Sequence, residues 1–295
     1  SRRTDIRLIS LTEVDRKSEQ KRASAMKEAD ITILCLPDHA AIRAVEMVAG
    51  KDIRIIDASS AHRTADGWVY GFAELHPDQS RKIAEANLVS NAGCYASGFI
   101  ALSRPLVENG FIATDQTLIA PAVSGYSGGG KNMISSMEEG SLPPHFDYAL
   151  DLSHKHIPEM IMHSGLQVAP LFMPSVGMFE QGMLVRLAIP IAHFSKNVTL
   201  HDVHEMYNEA YRDHQMIRVC GLDEALSLQH SGKLSPDGLA GQDGLEIFCF
   251  NNPETQQFLI IARLDNLGKG AAGAAVQNLN IMLGCNPKAG LNWDY

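Results

Sequence analysis

No apolar run in the sequence approaches the ~20 residues a helix needs to cross a bilayer, so a transmembrane helix is excluded. Cysteine is sparse and unpaired. The five residues Cys35, Cys94, Cys220, Cys249 and Cys285 share no repeated spacing, which excludes a disulfide framework and fits a reducing cytoplasm. Positive charge is the minority, with 25 Lys and Arg against 34 Asp and Glu and a formal net charge of -9. That balance argues against nucleic-acid and anionic-membrane partners and leaves room only for a local basic pocket. No basic segment followed by an apolar core and a small-residue cleavage site marks a signal peptide. Internal repeats and low-complexity tracts are also missing. The chain opens Ser1-Arg2-Arg3 and reaches a strand pattern at once, so further residues are expected upstream of Ser1. The 295 residues are 45% hydrophobic and 20% charged, enough for about two domains with a sizeable core.

The first third alternates strand and helix patterns. Asp5 to Leu11 alternates and reads as a strand; Ser18 to Ala29, rich in Lys, Glu and Ala, reads as a helix. Asp30 to Pro37 is a continuous apolar run, the mark of a strand covered on both faces. Asp38 is placed to cap a helix from Ala40 to Ala49, and Ile53 to Ala58 reads as another buried strand. This order predicts a parallel sheet with crossover helices, in which ligands bind beyond the C-terminal strand ends. Pro37 and Ser59 sit at those ends and are the cofactor candidates there. Arg63 follows in Asp57-Ala-Ser-Ser-Ala-His-Arg63, where its guanidinium suits an anion or a neighbouring carboxylate. Trp68 to Leu75 is aromatic-rich and is expected to pack over the crevice.

Asn87 to Val89 predicts a strand, Asn91-Ala92-Gly93 a turn, and Tyr95 to Val107 a helix. Cys94 therefore falls at a helix N-terminus, where the dipole and unpaired N–H groups favour a thiolate and a developing oxyanion. The competing reading is a buried, inert cysteine.

Gln116 to Val123 predicts a strand running into Ser124-Gly125-Tyr126-Ser127-Gly128-Gly129-Gly130-Lys131. Three consecutive glycines permit close approach by a ligand or by another backbone. Asn132 follows Lys131, so the run is not a P-loop; a flexible linker is the alternative. Glu138 to Phe146 reads as a loop. His154-Lys155-His156-Ile157-Pro158-Glu159 then enters a short helix, with Glu159 and His163 one turn apart. Three readings stay open: a metal set of His154, His156, Glu159 and His163, an acid/base His156 oriented by a carboxylate, or a solvated polar turn. No cysteine lies near enough to complete a zinc site.

Beyond this, Gln167 to Met173, Gln181 to Pro190, Glu246 to Asn251 and Gln256 to Asp265 predict strands, and Ser195 to Asp213 a helix with one apolar face. The region reads as a mainly antiparallel second domain. Asp265-Asn266-Leu267-Gly268-Lys269-Gly270-Ala271-Ala272-Gly273 leads into a last helix, Ala274 to Leu283.

The Cys94 turn, the Ser124 to Lys131 loop, the His154 to Glu159 segment and the Asp265 to Gly273 run occur in that order, with Trp68 to Leu75 ahead of them. Together they resemble N-acetyl-gamma-glutamyl-phosphate reductase of arginine biosynthesis, in its shorter-chain branch, over essentially the whole chain. The resemblance implies an α/β fold: a Rossmann-type parallel-sheet domain with an inserted α+β catalytic and dimerisation domain, as in the aspartate-semialdehyde dehydrogenases. It assigns residues 1–93 and 266–295 to dinucleotide binding and 94–265 to catalysis and oligomerisation. It implies NADP(H), an acyl-phosphate substrate and a homo-oligomer, dimer or tetramer.

Carried over by position, Cys94 is the nucleophile and His156 the acid/base, with Glu159 beside it. Arg63, Ser124 and Lys131 face the substrate; Ser127, Gly128, Asn266 and Gly268 join Pro37 and Ser59 around the cofactor. Arg16 and Lys17 are candidates for a 2′-phosphate. Asp5 to Leu11 resembles the family's second strand, so its first strand and Gly-rich phosphate loop are expected upstream of Ser1. Ala92 stands where the family commonly has Pro, and Ala96-Ser97 replaces a commoner Pro/Ala-Thr pair. The alternatives are a reductase of another acyl phosphate such as aspartyl phosphate, a nicotinamide-independent Cys/His hydrolase or acyltransferase, and a non-catalytic binding protein on the same fold.

Overall fold

The segment from Asp5 to Leu11 is not a strand. A strand exists only where another backbone accepts and donates along its edge, and no described strand pairs with 5–11; Leu8 stays 83% exposed. The computed structural model describes residues 3–50 and 52–295; Ser1, Arg2 and Lys51, and with them most of the Ser1-Arg2-Arg3 opening, lie outside. The chain divides into two compact units, one of residues up to Ala92 plus Ala274–Leu291, the other Gly93–Gly273 plus Asn292–Tyr295. Gly93 and residues 266–273 and 292–295, expected with the first, fall in the second.

The first unit begins with α1 (Glu19–Glu28), started by Ser18, whose hydroxyl accepts from Lys21 N–H. Then come β1 (Thr32–Leu34), α2 (Asp38–Glu46), β2 (Ile55–Asp57), β3 (Val69–Gly71), α3 (Gln79–Glu85) and β4 (Leu88–Asn91). The strands form one all-parallel sheet in the order β1-β2-β4-β3. β2, buried at all three residues, is interior. β1 is an edge of the described sheet, so its run is not covered on both faces as expected: Ile33 and Leu36 are each 37% exposed. Within Trp68 to Leu75, the Trp68 ring packs on the loop at the strand ends, stacked on His62. Val69–Gly71 is the opposite edge strand, and Tyr70 and Phe72 are core residues.

Asp38 does not cap α2. Pro37 is the N-cap, and the Asp38 carboxylate instead accepts from the N–H (2.9 Å) and hydroxyl (2.7 Å) of Ser60, tying the loop after β1 to the loop after β2.

The second unit opens with α4 (Cys94–Glu108) and continues through β5 (Ile119–Gly125), α5 (Gly130–Glu138), β6 (His145–Asp147), α6 (Ile157–Ser164), β7 (Leu171–Gly177) and β8 (Met183–Pro190). It ends with α7 (Leu200–Tyr211), β9 (Ile217–Val219), α8 (Leu222–Ser231), β10 (Leu245–Asn252) and β11 (Gln257–Leu264); α9 (Gly273–Met282) then returns the chain to the first unit. Seven strands make one mixed sheet in the order β6-β7-β5-β8-β11-β10-β9, mainly antiparallel as expected, with β5–β7 and β10–β9 running parallel.

Alternation divides this sheet into two faces. One carries Val185, Leu187, Ile260 and Leu264, all buried, and α4 lies against it so closely that a Cβ at Gly98 would fall 2.7 Å from a Val185 methyl. α7 is started by a capping box between Thr199 and Asp202, and bonds to α4 through the Tyr207 and Tyr211 hydroxyls on the Leu102 and Ala101 carbonyls. The other face is only partly roofed, by α8.

Candidate active site

Gly93 is the N-cap of α4 and half-buried Cys94 its first residue. Glycine has no side chain with which to cap a helix. The other half of a capping box comes from α6: Glu159 Oε2 accepts the Gly93 N–H at 3.2 Å, the reach-back that such a box makes within one helix. The first intrahelical bond of α4 is Ser97 N–H to Gly93 C=O, so the N–H groups ahead of it point out of the helix's positive end.

His156 is the N-cap of α6, Pro158 occupies its opening turn, where a missing N–H costs nothing, and Gly165 ends it in the left-handed region at φ 79°. His156 and Glu159 are both buried, and Nε2 lies 3.9 Å from Oε1, an ion-pair distance longer than a hydrogen bond. His156 N–H donates to His154 Nδ1 at 3.1 Å, so the proton of neutral His154 belongs on Nε2, which faces the Tyr148 hydroxyl at 3.4 Å. The Tyr95 hydroxyl donates to Ser175 C=O at 2.8 Å, and its ring lies 6.2 Å from that of His156. Burial pushes the Tyr95 phenol well above its ordinary value and Tyr148 up to about 12, and the neighbouring Cys94 charge adds to both. Neither phenol ionises in the neutral range.

The metal reading of His154, His156, Glu159 and His163 finds no support, since these four do not form a ligand cluster among the described residues. The described cluster of ligating types is Cys220, Glu224 and Glu246, on β9, α8 and β10. Its carboxylates are filled by guanidinium groups: Arg218 bonds Glu246 at 2.9 Å and Glu224 at 2.6 Å, and Arg263 bonds Glu246 at 2.6 and 2.9 Å. Burial drives the Cys220 thiol far up. A cation there would have to displace two guanidinium groups.

The glycine-rich run after β5 is ordered rather than a linker: a 3-10 turn, Tyr126–Gly129, and then α5. Asn266, 1% exposed, is its strut. Asn266 Oδ1 accepts from Gly182 N–H at 2.9 Å, Nδ2 donates to Ser127 Oγ at 2.8 Å, and Ser127 Oγ donates to Glu180 C=O at 2.6 Å. Asn266 and Ser127 are thus spent on each other and on backbone, and they hold Gly128, which is exposed, in place. Ser124 is buried on β5 with its hydroxyl on Gly125 C=O at 3.1 Å; Lys131 is exposed on the first turn of α5.

Gly268–Ala272 is a π-helical turn closed by Gly270 N–H to Asp265 C=O and Ala272 N–H to Leu267 C=O. Such turns recur at functional sites. A Cβ on Gly268 would lie 2.1 Å from the Gln242 carbonyl, so that glycine is there for space. Lys269 is fully buried, and its charge draws the Asp243 carboxyl down against the larger upward push of burial. Gly270 meets Cys94 itself: a Cβ there would lie 2.8 Å from Cys94 Cβ.

The remaining candidates belong to the first unit. Pro37 is exposed before α2. Ser59 donates to Asp57 through its hydroxyl (2.7 Å) and N–H (3.0 Å). Arg63 reaches the Asn91 carbonyl from Nε at 3.0 Å and the Ala58 carbonyl from Nη2 at 3.3 Å, bracing the C-terminal ends of β4 and β2. Buried Asp57 also meets His62 Nδ1 at 2.6 Å, and the His62 ring stacks on Trp68 at 4.1 Å. Sequence reasoning missed this Asp57–His62 pair and the Gly270 contact. The first had a signal, since Asp57 ends a buried strand and His62 stands in the turn after it. The second had only glycine content.

Residues 94–266 match the semialdehyde dehydrogenase dimerisation domain and residues 6–83 the semialdehyde dehydrogenase NAD binding domain. The N-acetyl-gamma-glutamyl-phosphate reductase of Trichormus variabilis is 43% identical over 98% of this chain and 92% of its own length. That of Rhizobium meliloti is 45% identical over 95% and 92%. Among solved structures, aspartate semialdehyde dehydrogenase from Francisella tularensis superposes with a TM-score of 0.67 at 13% identity, over 90% of this chain and 84% of that one. Aspartate semialdehyde dehydrogenase II from Vibrio cholerae gives 0.66 at 15%, over 88% and 81%.

Proposed function

This chain belongs to the N-acetyl-gamma-glutamyl-phosphate reductase family, and on that premise we propose that it reduces N-acetyl-L-glutamyl 5-phosphate to N-acetyl-L-glutamate 5-semialdehyde through a thioester on Cys94. The observation that carries the mechanism is the joint placement of Cys94, His156 and Glu159, with Glu159 bonded to the cap of the Cys94 helix.

His156 takes the Cys94 proton, and the resulting imidazolium has Glu159 as its counterion 3.9 Å away. The thiolate attacks the acyl carbon. Gly93 N–H is occupied by Glu159, so the N–H groups of the next residues on the first turn of α4 hold the developing oxyanion; one such donor is worth ~3 kcal/mol of barrier. The carbon–oxygen bond to phosphate then breaks, and phosphate needs no proton to leave. Lys131, exposed beside the glycine-rich turn, is suited to steady it; Arg63, already bonded to two carbonyls, is suited to shaping the strand ends. A nicotinamide, when bound, would supply the hydride for reduction of the Cys94 thioester. The His156 imidazolium gives its proton to the thiohemiacetal oxyanion and takes it back as the C–S bond breaks, so that aldehyde leaves and the Cys94 thiolate re-forms.

The first unit fits a dinucleotide. Its parallel strands end near Pro37 and Ser59, and α2 starts directly after Pro37, at the strand ends where such sheets take ligands. Ser127, Gly128, Asn266 and Gly268 serve the nicotinamide side by fixing two turns. NADPH is the proposed donor, with Arg16 and Lys17 as the cations for its 2′-phosphate. The chain works in the cytoplasm, where its five cysteines stay reduced, and as a homo-oligomer built through the unit that matches a dimerisation domain.

The test is Cys94→Ala. It is expected to abolish phosphate-dependent reduction, assayed by nicotinamide absorbance, while circular dichroism is unchanged. Persistent turnover in that folded variant refutes the thioester route. Comparing N-acetyl-glutamyl and aspartyl phosphates fixes the substrate.

A further inference from the structure

The start of α6 uses neither of the side chains that ordinarily close a helix start. An N-cap side chain accepts an N–H of the first turn, and a carboxylate at the third helical position reaches back to the N-cap N–H. On α6 these positions belong to His156 and Glu159. His156 is the N-cap and makes no side-chain cap bond. Glu159, the third residue of the helix, sends Oε2 to Gly93 N–H, the N-cap of a different helix. Both side chains that α6 could spend on itself are turned to the Cys94 site.

His154 fills both places. Its Nδ1 accepts His156 N–H at 3.1 Å, the bond that the Glu159 carboxylate would make in a capping box, and its carbonyl accepts Ile157 N–H at 2.9 Å. Pro158 brings no N–H of its own. The imidazole is held in this role from three sides. The Tyr148 hydroxyl meets Nε2 at 3.4 Å, and the rings of Tyr95 and Phe172 stand edge-on to it at 6.0 and 5.2 Å. Between Tyr148 and His154 the chain is bent sharply: Ala149 and Leu152 have φ of 51° and 58°, a left-handed conformation that non-glycine residues adopt at a cost and mostly beside functional sites.

We infer that His154 is a positioning residue for the reduction: by satisfying the start of α6 it leaves the Glu159 carboxylate to Gly93, and so fixes the helix turn that carries Cys94. Two N–H groups compete for one carboxylate. With an acceptor at 154, His156 N–H is bonded and Glu159 reaches across to α4. Without that acceptor His156 N–H is stripped of its bond, and the carboxylate three residues on is its ordinary partner. Glu159 then turns back onto its own helix, and Gly93 N–H loses its acceptor. His154 acts through Glu159 and not on the substrate. The spacing is that of an Asx turn, in which a side-chain oxygen accepts the N–H two residues on, so asparagine at 154 supplies the same bond without an imidazole. For its effect on rate the inference rests on the thioester reading proposed above; for its effect on Gly93 it does not.

The experiment compares the wild-type chain with His154→Leu, which removes the acceptor, and His154→Asn, which restores it. One readout is amide hydrogen exchange at Gly93, followed by NMR in protein carrying isotope-labelled glycine, with Gly270 N–H, bonded to Asp265 C=O, as the internal reference. The other is steady-state kinetics with N-acetyl-glutamyl phosphate and NADPH. In His154→Leu, Gly93 is expected to exchange at least about tenfold faster with Gly270 unchanged, and kcat to fall by ~10–100-fold with KM within about threefold. His154→Asn is expected to return exchange and kcat to within about threefold of wild type. Wild-type exchange at Gly93 in His154→Leu overturns the inference, because Glu159 then keeps its place unaided. An asparagine variant that behaves as leucine does also overturns it, since the imidazole itself is then the requirement. If His154→Leu does not fold, the asparagine variant decides alone: exchange at Gly93 as in wild type supports the inference, and faster exchange overturns it. A wild-type chain that turns over no N-acetyl-glutamyl phosphate refutes the proposed substrate, while the exchange comparison still decides the role of His154.

Discussion

Replacing Gly270 by alanine tests how the π-helical turn governs the nucleophile. The backbone at 270 has no positive φ, so alanine is excluded by space and not by conformation. The new methyl would stand 2.8 Å from Cys94 Cβ and 3.2 Å from its Cα. Carbon atoms rest at ~3.5–4.0 Å, so the two groups must part by ~0.7–1.2 Å. The turn cannot easily yield: Gly270 N–H is bonded to Asp265 C=O, while the Asp265 carboxylate accepts from Gly241 and Leu267 N–H at 2.6 and 2.8 Å. Cys94 takes most of the displacement. A shift of ~1 Å at a reacting centre costs ~10²-fold in rate, equivalent to ~2.7 kcal/mol of barrier. The overpacking itself costs ~1–3 kcal/mol of stability, which a chain this size survives. Steady-state kinetics should therefore show kcat down by ~30–100-fold with KM little moved, and iodoacetamide should alkylate Cys94 more slowly at neutral pH. A folded Gly270→Ala enzyme with kcat within about threefold of wild type would refute the idea that this turn sets the thiol's position.

Three further outcomes are expected. His156→Gln should lower turnover by ~10²–10⁴-fold with the melting curve intact, and an unchanged pH–rate profile would make His156 structural. Glu159→Gln keeps an acceptor for Gly93 N–H but removes the counterion of His156, so the limb of the kcat/KM profile assigned to His156 should move to lower pH. Asp202→Asn addresses folding. Hydrogen bonds from Thr199 hold the Asp202 carboxyl below its ordinary value, so its share of stability is present above the unfolded pKa near 3.8 and is lost as pH falls through the folded value. Urea unfolding should show the variant weaker than wild type at pH 6 and the gap closing toward pH 3; a constant gap would show that the carboxylate's charge is not what the cap uses.

Helix starts were legible in the sequence because their signals are local. Ser18 caps α1, and His156-Ile157-Pro158-Glu159 begins α6 within a residue of expectation. Cys94 at the first position of α4 followed from a short apolar strand and a glycine turn. Strands were legible only where partners exist. Asp5 to Leu11 has the alternation but no described neighbour, whereas β9, three residues long, lacks a pattern and exists because β10 pairs with it. α8 was missed for a similar reason, since Leu222–Ser231 has a weakly segregated apolar face and buries only Ala225 fully. The site divides the same way. Residue types with chemistry announce themselves, but the bond from Glu159 to Gly93 and the contact of Gly270 with Cys94 join segments distant in sequence. Asn266 and Ser127 looked like ligand contacts because polar groups beside glycine runs so often are; their polar atoms are consumed in holding the turn.

The carboxylate of Glu159 makes α4 and α6 one mechanical part. If α6 slid along its axis while α4 stayed, a fully buried carboxylate and the Gly93 N–H would both be stripped of their bond, at a cost of ~1–3 kcal/mol for the neutral group alone and more for the charge. Thermal motion that separates base from nucleophile is therefore suppressed, while motion carrying both together is not. Substrate entry and product exit can bend the second unit around this pair without spoiling its alignment, and a small molecule that wedges α6 from α4 would disable the enzyme without touching the thiol.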